Sequence, residues 1–480
     1  MHKTVVSFFV SLLLINCSDY AAALTSSIDD QQAVEVTVYN SNIGLVKDTR
    51  RLQLPRGQGE LRFMDVASAI MPYTVKVQEQ GSDDLRVLEQ NYEYDLIDPN
   101  KLLDKYVGKS VKLINTHEYQ DRKEITDAVL LSNNNGQIYQ IGNEIHLGAP
   151  GYVVLPQLPQ NLVSKPTLTW IYDNHSNASS QIVQVSYLTE NINWKADYVL
   201  SVNADDTLGD LNGWVTLDNT SGAIYKDAKL KLVAGQVNRV VQGYAQQEAK
   251  SMAFRGAVDA AAPMMQEHGF FEYHIYDLPY KTTIKDKQTK QLALLQGNGA
   301  KLTKEFVVDA SVFENYFWYK NNDNGKIKMP VVVKIKFKNS KENHLGMPLP
   351  QGTIRIYKQD FDKSSQFIGE DAIEHTPKDE DVSLKVGEAF DVVVESRQTD
   401  FKQIDSWTFE SEWEVALRNH KDNDINVAVI EPVSFGLSNF DILSSTYPYK
   451  KLNTSAVRFD VPVPKNQETV LTYRVRVKRG

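Results

Sequence analysis

The residues of this chain that are best suited to chemistry concentrate in one acidic stretch. Its members are carboxylates around a single histidine: Glu370, Asp371, Glu374, His375, Asp379, Glu380 and Asp381. Carboxylates beside a histidine can bind a divalent cation or transfer protons as general acids and bases. Glu370, Asp371 and His375 are therefore the candidate catalytic residues. The alternative interpretation is a solvated acidic loop, which is the usual role of a run of charges.

The spacing within this stretch does not define a metal site. Asp371 and His375 would share a face on a helix, but Pro377 and the strand-like flanks disfavour a helix there. No metal and no cofactor is therefore predicted. The chain also lacks the His-Glu-x-x-His, Gly-x-Ser-x-Gly, Ser-x-x-Lys and P-loop motifs. An enzyme remains open as an alternative, since catalytic groups assemble in space rather than in sequence.

A second group of candidates is aromatic and comprises Phe313, Tyr316, Trp318 and Tyr319. If exposed, these rings can stack on sugars or anchor a protein partner. Their alternation with Phe317 favours instead a buried strand that fills both of its faces. The sequence leaves both interpretations open.

Composition and charge exclude some classes of function. Hydrophobic residues make up 42% and charged residues 24% of the 480, which is typical of a globular protein. The net charge of −9 and the lack of a Lys/Arg-rich stripe disfavour nucleic-acid binding. Arg474, Arg476 and Lys478 alternate with valines, so we expect them on one face of a solvated edge strand.

The elements that must position these residues are mostly strands. Alternation of apolar and polar residues with a period of two runs through most of the chain. One helix is predicted after Asp98, which is a natural N-cap, with Pro99 at the first helical position and Gly108 after its end. Asn135-Gly136 predicts a tight hairpin turn, because both residues tolerate positive φ.

These patterns predict a mainly β, multidomain protein built from immunoglobulin-like β-sandwich modules, with a small β-barrel in the N-terminal half. Asn219, Asn339 and Asn419 each end an alternating strand, which suggests a repeated module whose turns are held by the asparagine side chain. The predicted segments are a signal peptide (1–23), an N-terminal β-module (30–97), the helix with the small barrel (98–158), β-sandwich strands (159–239), an Ala/Gln/Met-rich insertion (240–268), a β-sandwich (269–400) and a C-terminal β-sandwich (401–480).

The N-terminal segment has the anatomy of an export signal. Lys3 precedes an apolar run from residue 5 to residue 15, and Ala21-Ala22-Ala23 supplies small residues for cleavage after Ala23. A periplasmic or secreted protein is therefore expected, without a transmembrane segment after removal of the signal. Cys17 is the only cysteine of the chain, and a lipid anchor on it is the alternative.

Several segments of the sequence resemble those of an exported bacterial family catalogued as domain of unknown function 4139, related to mucoidy-inhibitor-type proteins. The segments that carry the resemblance are Val36 to Ser41, Leu54 to Gly57, Trp194 to Tyr198, Gly213-Trp214, Leu232 to Gly235, Leu345 to Gly352, Gly369 to Asp371, His375 to Pro377, Ala389 to Asp391 and Leu471 to Arg474. The resemblance spans nearly the whole chain and implies an exported β-protein. It implies no established activity and no catalytic residues.

The function predicted from these observations is non-catalytic: a binding or scaffold protein that contacts a protein or glycan partner in the cell envelope. The first alternative is a periplasmic hydrolase or metal-dependent enzyme that uses the carboxylates and histidine of residues 370–381. The second is self-association through exposed β-edges.

Overall fold

The structure is a computed structural model that describes residues 24–117, 122–149, 151–157, 159, 162–235, 237–238, 264–312, 325–433 and 438–479. It contains 64% strand and 5% helix, arranged in several sheets, which confirms the mainly β fold class. The predicted signal segment with Cys17 lies outside the described residues, as do residues 240–263 of the predicted insertion. The end of that insertion is regular, because Gln266–Phe270 is a strand.

Strands follow one another along almost the whole of the described chain. The first half contains β1 Leu24–Ser26, β2 Gln31–Tyr39, β3 Ile43–Leu52, β4 Gly57–Met64, β5 Lys76–Glu79, β6 Leu85–Glu93, α1 Pro99–Tyr106, β7 Ser110–His117, β8 Arg122–Ser132, β9 Ile138–Ile141, β10 Glu144–Leu147, β11 Tyr152–Val154, β12 Thr167–Asn174, β13 Gln181–Glu190, β14 Ile192–Val202, β15 Leu208–Asn219 and β16 Tyr225–Ala234. The second half contains β17 Gln266–Phe270, β18 Tyr273–Asp277, β19 Thr282–Ile284, β20 Gln288–Lys301, β21 Thr303–Asp309, β22 Ile327–Met329, β23 Val332–Lys338, β24 Gly352–Gln359, β25 Ser365–Ile373, β26 Asp381–Glu388, β27 Val392–Gln403, β28 Thr408–Asn419, β29 Ile425–Pro432, β30 Ser438–Ser445, β31 Tyr449–Lys451, β32 Ala456–Val463 and β33 Gln467–Arg479. Short 3₁₀ turns lie at Ile28–Asp30, Pro72–Thr74, Ala310–Val312 and Lys341–Asn343.

Three sheets enclose the first hydrophobic core, and strands β23 and β26 of a fourth sheet add residues to it. The strand orders of the three sheets are β1-β4-β12-β6, β17-β18-β16-β2-β3-β13-β5 with β19 beside β16, and β20-β15-β14-β24-β25. The last of these joins strands that are far apart in the chain, since β14 and β24 pair in parallel from Ala196 opposite Gly352 onward. A Cβ at Gly352 would collide with the carbonyl oxygen of Ala196, so this close approach requires glycine.

A smaller core belongs to the segment of the predicted helix and barrel. Helix α1 forms as predicted, and the Asp98 side chain accepts hydrogen bonds from the backbone N–H groups of residues 100 and 101. Asn135 and Gly136 both have positive φ, at 51° and 130°, in the turn between β8 and β9. The five strands form a sheet in the order β10-β9-β8-β7-β11, and no closed barrel is found in the described part of the chain.

The second large core lies between sheets of order β26-β23-β21-β29-β32-β31 and β22-β27-β28-β33-β30. β33 lies between β28 and β30, so the prediction that the basic residues of this strand occupy a sheet edge is wrong. Its arginines are neutralised across the sheet: Arg474 pairs with Asp400 at 2.7 Å, and Arg476 pairs with Glu410 at 2.6 Å. From Tyr473 to Lys478 both edges of the strand are hydrogen-bonded, one to β28 and the other to β30.

Buried asparagines hold the strand ends, as the repeated pattern predicts. Asn219, Asn339 and Asn419 are at most 1% exposed. The amide of Asn219 donates to the carbonyl oxygens of Ala223 and Lys285, both at 2.9 Å, while its oxygen accepts from residue 221. Asn174, at the end of β12, is buried in the same way and donates to the carbonyl of residue 54 at 2.8 Å. Each of these side chains replaces backbone partners that a strand loses where it ends.

Arg50 connects β1 and β4 through hydrogen bonds within the first core. Its side chain is fully buried and donates two hydrogen bonds to Asp48, at 2.8 and 3.0 Å. Further bonds reach the carbonyl oxygens of Ser26 at 3.1 Å and Met64 at 2.8 Å. The guanidinium carbon lies 3.6 Å from the ring centroid of Phe63. A buried cation is tolerated here because its donors are used and its charge is paired.

Candidate functional site

The predicted acidic stretch runs from β25 through a loop into β26. Glu370 and Asp371 are successive strand residues, so their side chains point to opposite faces of the sheet. Glu370 lies 3.3 Å from the guanidinium of Arg355 on the neighbouring strand. Asp371 accepts the backbone N–H of Lys385 at 2.7 Å and thereby links β25 to β26. The structure therefore gives these two carboxylates different partners and does not bring them together.

The ion pair of Glu370 continues into a row of polar side chains across the sheet. Arg355 also contacts Asp197 on β14 at 3.2 Å, and Asp197 accepts a hydrogen bond from the hydroxyl of Thr216 on β15 at 2.8 Å. Cross-strand pairs of this kind stabilise a sheet surface by about 0.2–1 kcal/mol each. Among the described residues, no group of three or more His, Cys, Asp or Glu side chains is placed to hold a metal ion.

His375 lies in a different environment from the two carboxylates. Its Nδ1 accepts the backbone N–H of Gln351 at 3.2 Å, and its Nε2 lies 3.5 Å from the side-chain amide of Asn40. Burial lowers the pKa of His375, Glu374 opposes this shift, and the charge of nearby His274 lowers the pKa further. Burial therefore favours the neutral imidazole, whose Nδ1 is the acceptor for the backbone N–H of Gln351.

His274 forms a histidine–carboxylate pair on the β17–β18 hairpin. Its Nδ1 lies 2.7 Å from Oε1 of Glu267. This arrangement orients an imidazole as in general acid–base sites. The pair is not found from the sequence, because Glu267 falls within the predicted insertion. Residues 266–270 show no alternation of apolar and polar side chains that would mark a strand.

The same hairpin carries exposed phenylalanines at its tip. Phe270 is 60% exposed and Phe271 is 86% exposed. Phe271 has a φ of 56°, in the left-handed region that glycine and asparagine favour. Its ring centroid lies 6.2 Å from that of Tyr273. β17 is the outermost strand of its sheet, and within the described residues it pairs only with β18.

The predicted aromatic binding residues, Phe313, Tyr316, Trp318 and Tyr319, lie outside the described residues. The candidate functional element in the described part is therefore the β17–β18 hairpin, with its aromatic tip and its histidine–carboxylate pair. His375 is the one predicted site residue that the structure brings close to it.

In comparisons with known proteins, no family model and no curated protein sequence matches this chain. The resemblance to the exported family therefore stays a prediction. Among the described residues, the structure contains no helix that is both long and apolar enough to cross a membrane.

Proposed function

We propose that this chain is a non-catalytic binding or scaffold protein of the bacterial cell envelope, and that the tip of the β17–β18 hairpin contacts its partner. The export signal anatomy of residues 1–23 and the family resemblance support the location. The hairpin supports the binding role. A protein partner is favoured over a glycan because the hairpin offers a strand edge as well as aromatic rings.

The observation that carries this proposal is the conformation of Phe271. A bulky residue in the left-handed region costs about 1–3 kcal/mol. Burial does not offset this cost, because the side chain is 86% exposed. An aromatic ring held outward in a strained turn is typical of a contact residue, since aromatic anchors dominate binding energy at interfaces. Phe270 adds a second exposed ring beside it.

The edge position of the hairpin supports the same role. The outward-facing backbone groups of β17 can pair with a strand of another chain. The partner would then gain main-chain hydrogen bonds from β17 and apolar contacts from the two phenylalanines. A second copy of this chain is one partner that such an edge accepts, which is the self-association alternative.

Site-specific photo-cross-linking in cells tests the proposal. A photoreactive residue placed at exposed Glu272 in the hairpin turn should capture a reproducible envelope partner. Replacing Phe270 and Phe271 by serine should abolish that capture. The matched control is the β24–β25 turn, with the photoreactive residue at Asp362 and serine in place of Phe361, which is 96% exposed. Equal capture from both turns, or capture that survives the double serine variant, would contradict the proposal. Capture of a glycan instead of a protein would contradict the choice of a protein partner.

The hydrolase alternative is supported by the 2.7 Å contact between His274 and Glu267 near His375. Replacing His274 and His375 by asparagine should remove an activity that depends on imidazole bases. Replacing Glu370 and Asp371 by their amides should not affect it, because these side chains have other partners. A hydrolase screen of the purified chain, followed by these two variants, separates the enzyme from the binding protein.

A further inference from the structure

The five-stranded sheet of the smaller core, in the order β10-β9-β8-β7-β11, has helix α1 on one of its faces. The buried side chains between the helix and the sheet are Leu103, Tyr106, Val111, Leu113, Ala128, Leu130 and Tyr139. Successive residues of a strand point to opposite faces, so the residues between these point away from the helix. This second side, called the open face below, carries Lys112, Ile114, Ile125, Asp127, Val129, Ile138, Ile145, Leu147 and Tyr152.

The open face is apolar although no described element lies over it. Ile125, Ile145, Leu147 and Tyr152 are each more than half exposed. Tyr152 lies opposite Ile114, and Ile114 lies opposite Ile125, so three neighbouring strands contribute to one apolar row. Exposed apolar patches of this kind mark interaction surfaces. A sheet face encloses a small molecule poorly, so a flat protein surface fits it better.

A single pair of opposite charges lies next to this apolar row. Lys112 on β7 is directly opposite Asp127 on β8. Both residues are exposed, and neither forms an ion pair or a side-chain hydrogen bond with any residue that the structure describes. Lys123 adds one positive charge to the open face at the end of β8. The face therefore offers both signs of charge to a partner.

This pattern of charges is complementary to itself. A two-fold axis parallel to the strands and midway between β7 and β8 exchanges these strands between two copies. Lys112 of each copy then faces Asp127 of the other, and Ile114 of each copy faces Ile125 of the other. Lys123 lies about 11 Å from its own counterpart, given about 4.8 Å between strands and about 10 Å between packed sheets. Repulsion at that distance is largely screened by salt.

The size of the open face matches the needs of a weak dimer. Its five strands contain 30 residues in total. At about 3.3 Å per residue and about 4.8 Å between strands, they cover about 480 Å². Two such faces amount to about 1,000 Å², which is the size at which specific interfaces begin.

We infer that the open face is the interface of a symmetric dimer, so that its occupant is a second copy of this chain. The apolar rows of the two copies pack against each other, and two contacts between Lys112 and Asp127 fix their register. The open face is distinct from the β17–β18 hairpin, and either surface can fail its test without affecting the other.

Sedimentation equilibrium of the purified full chain across the micromolar range tests the inference. We expect a monomer–dimer equilibrium. Lys112→Asp and Asp127→Lys, made separately, should each weaken dimerisation about tenfold or more, because each change places like charges against each other twice. An equimolar mixture of the two variants should dimerise again, since every charge contact between the unlike copies is then attractive. Misfolded variants would not give this recovery.

A substitution in the apolar row tests the same interface without changing charge. Ile125→Ser should weaken dimerisation, whereas Ile224→Ser, a control at an isoleucine that is also about half exposed but lies outside the open face, should leave it unchanged. A monomer at every concentration, a dimer that both charge variants leave intact, or a mixture of these variants that stays monomeric would each overturn the inference. Equal effects of Ile125→Ser and Ile224→Ser would also overturn it.

Discussion

Replacing Phe271 by asparagine should make the β17–β18 hairpin harder to open, although it removes a large apolar side chain. The reason is the φ of 56° at this residue, which asparagine tolerates and phenylalanine does not. Relief of the left-handed conformation is worth about 1 kcal/mol. The loss of the ring contact with Tyr273, at a site that is 86% exposed, costs about 0.5 kcal/mol.

The net gain of about 0.5 kcal/mol corresponds to a change of about twofold in the local opening equilibrium. Hydrogen exchange of the amides in residues 266–277 measures this equilibrium directly, whereas global unfolding of a multidomain chain would dilute it. The exchange of these amides should slow by about twofold in the variant. Capture of the partner should fall in the same protein, so stability and binding should move in opposite directions.

Phe361→Asn is the matched control. Phe361 is 96% exposed and also lies in a hairpin turn, but its φ is not positive, so asparagine relieves no strain there. Exchange around residue 361 should be unchanged or slightly faster. Faster exchange of the β17–β18 hairpin in Phe271→Asn, or the same gain in both variants, would refute the reasoning from backbone strain.

Three further predictions concern the rest of the molecule. Asn219→Ala should lower the free energy of unfolding by about 3 kcal/mol, because several buried groups lose their partner, whereas exposed Asn453→Ala should change it by less than about 0.5 kcal/mol; urea midpoints measure both. Arg50→Met should cost about 3–5 kcal/mol by leaving Asp48 buried without its cation, and adding Asp48→Leu should recover most of this loss. The pKa of His375 is lower in the folded state than in the unfolded state, so the neutral imidazole contributes to the free energy of unfolding in full above the unfolded pKa of about 6.5. This contribution is lost as the pH falls through the folded pKa. The variant His375→Asn should therefore lose less stability on acidification than the wild type.

Each of these three predictions has a result that contradicts it. Equal destabilisation by Asn219→Ala and Asn453→Ala would mean that the hydrogen bonds of the buried asparagine do not stabilise the end of its strand. An Arg50→Met variant as stable as the wild type would mean that the ion pair is dispensable. An NMR titration of His375 with a midpoint at or above that of an unperturbed histidine side chain, about 6.5, would contradict the predicted pH effect.

Part of the candidate site was accessible from the sequence and part was not. His375 stands out as a histidine among carboxylates, and the structure does give it a distinct environment. Glu370 and Asp371 stand out equally, but their opposite faces and separate partners depend on which strands lie beside them. The pair of Glu267 and His274 forms only when the hairpin closes, so its spacing of seven residues carries no signal in the sequence.

The sequence by itself determined the features that depend on a few neighbouring residues. The alternation of side chains predicts the strands, Asp98 and Pro99 begin the helix, and Asn219 ends its strand, because these outcomes follow from local sterics and short-range hydrogen bonds. Only the tertiary structure decided which strands became neighbours. β33 is central rather than at an edge, and β14 pairs with a strand more than 150 residues away. Alternation tells which face of a strand is buried, but it does not tell which strand lies beside it, and the β17–β18 hairpin depends on that choice.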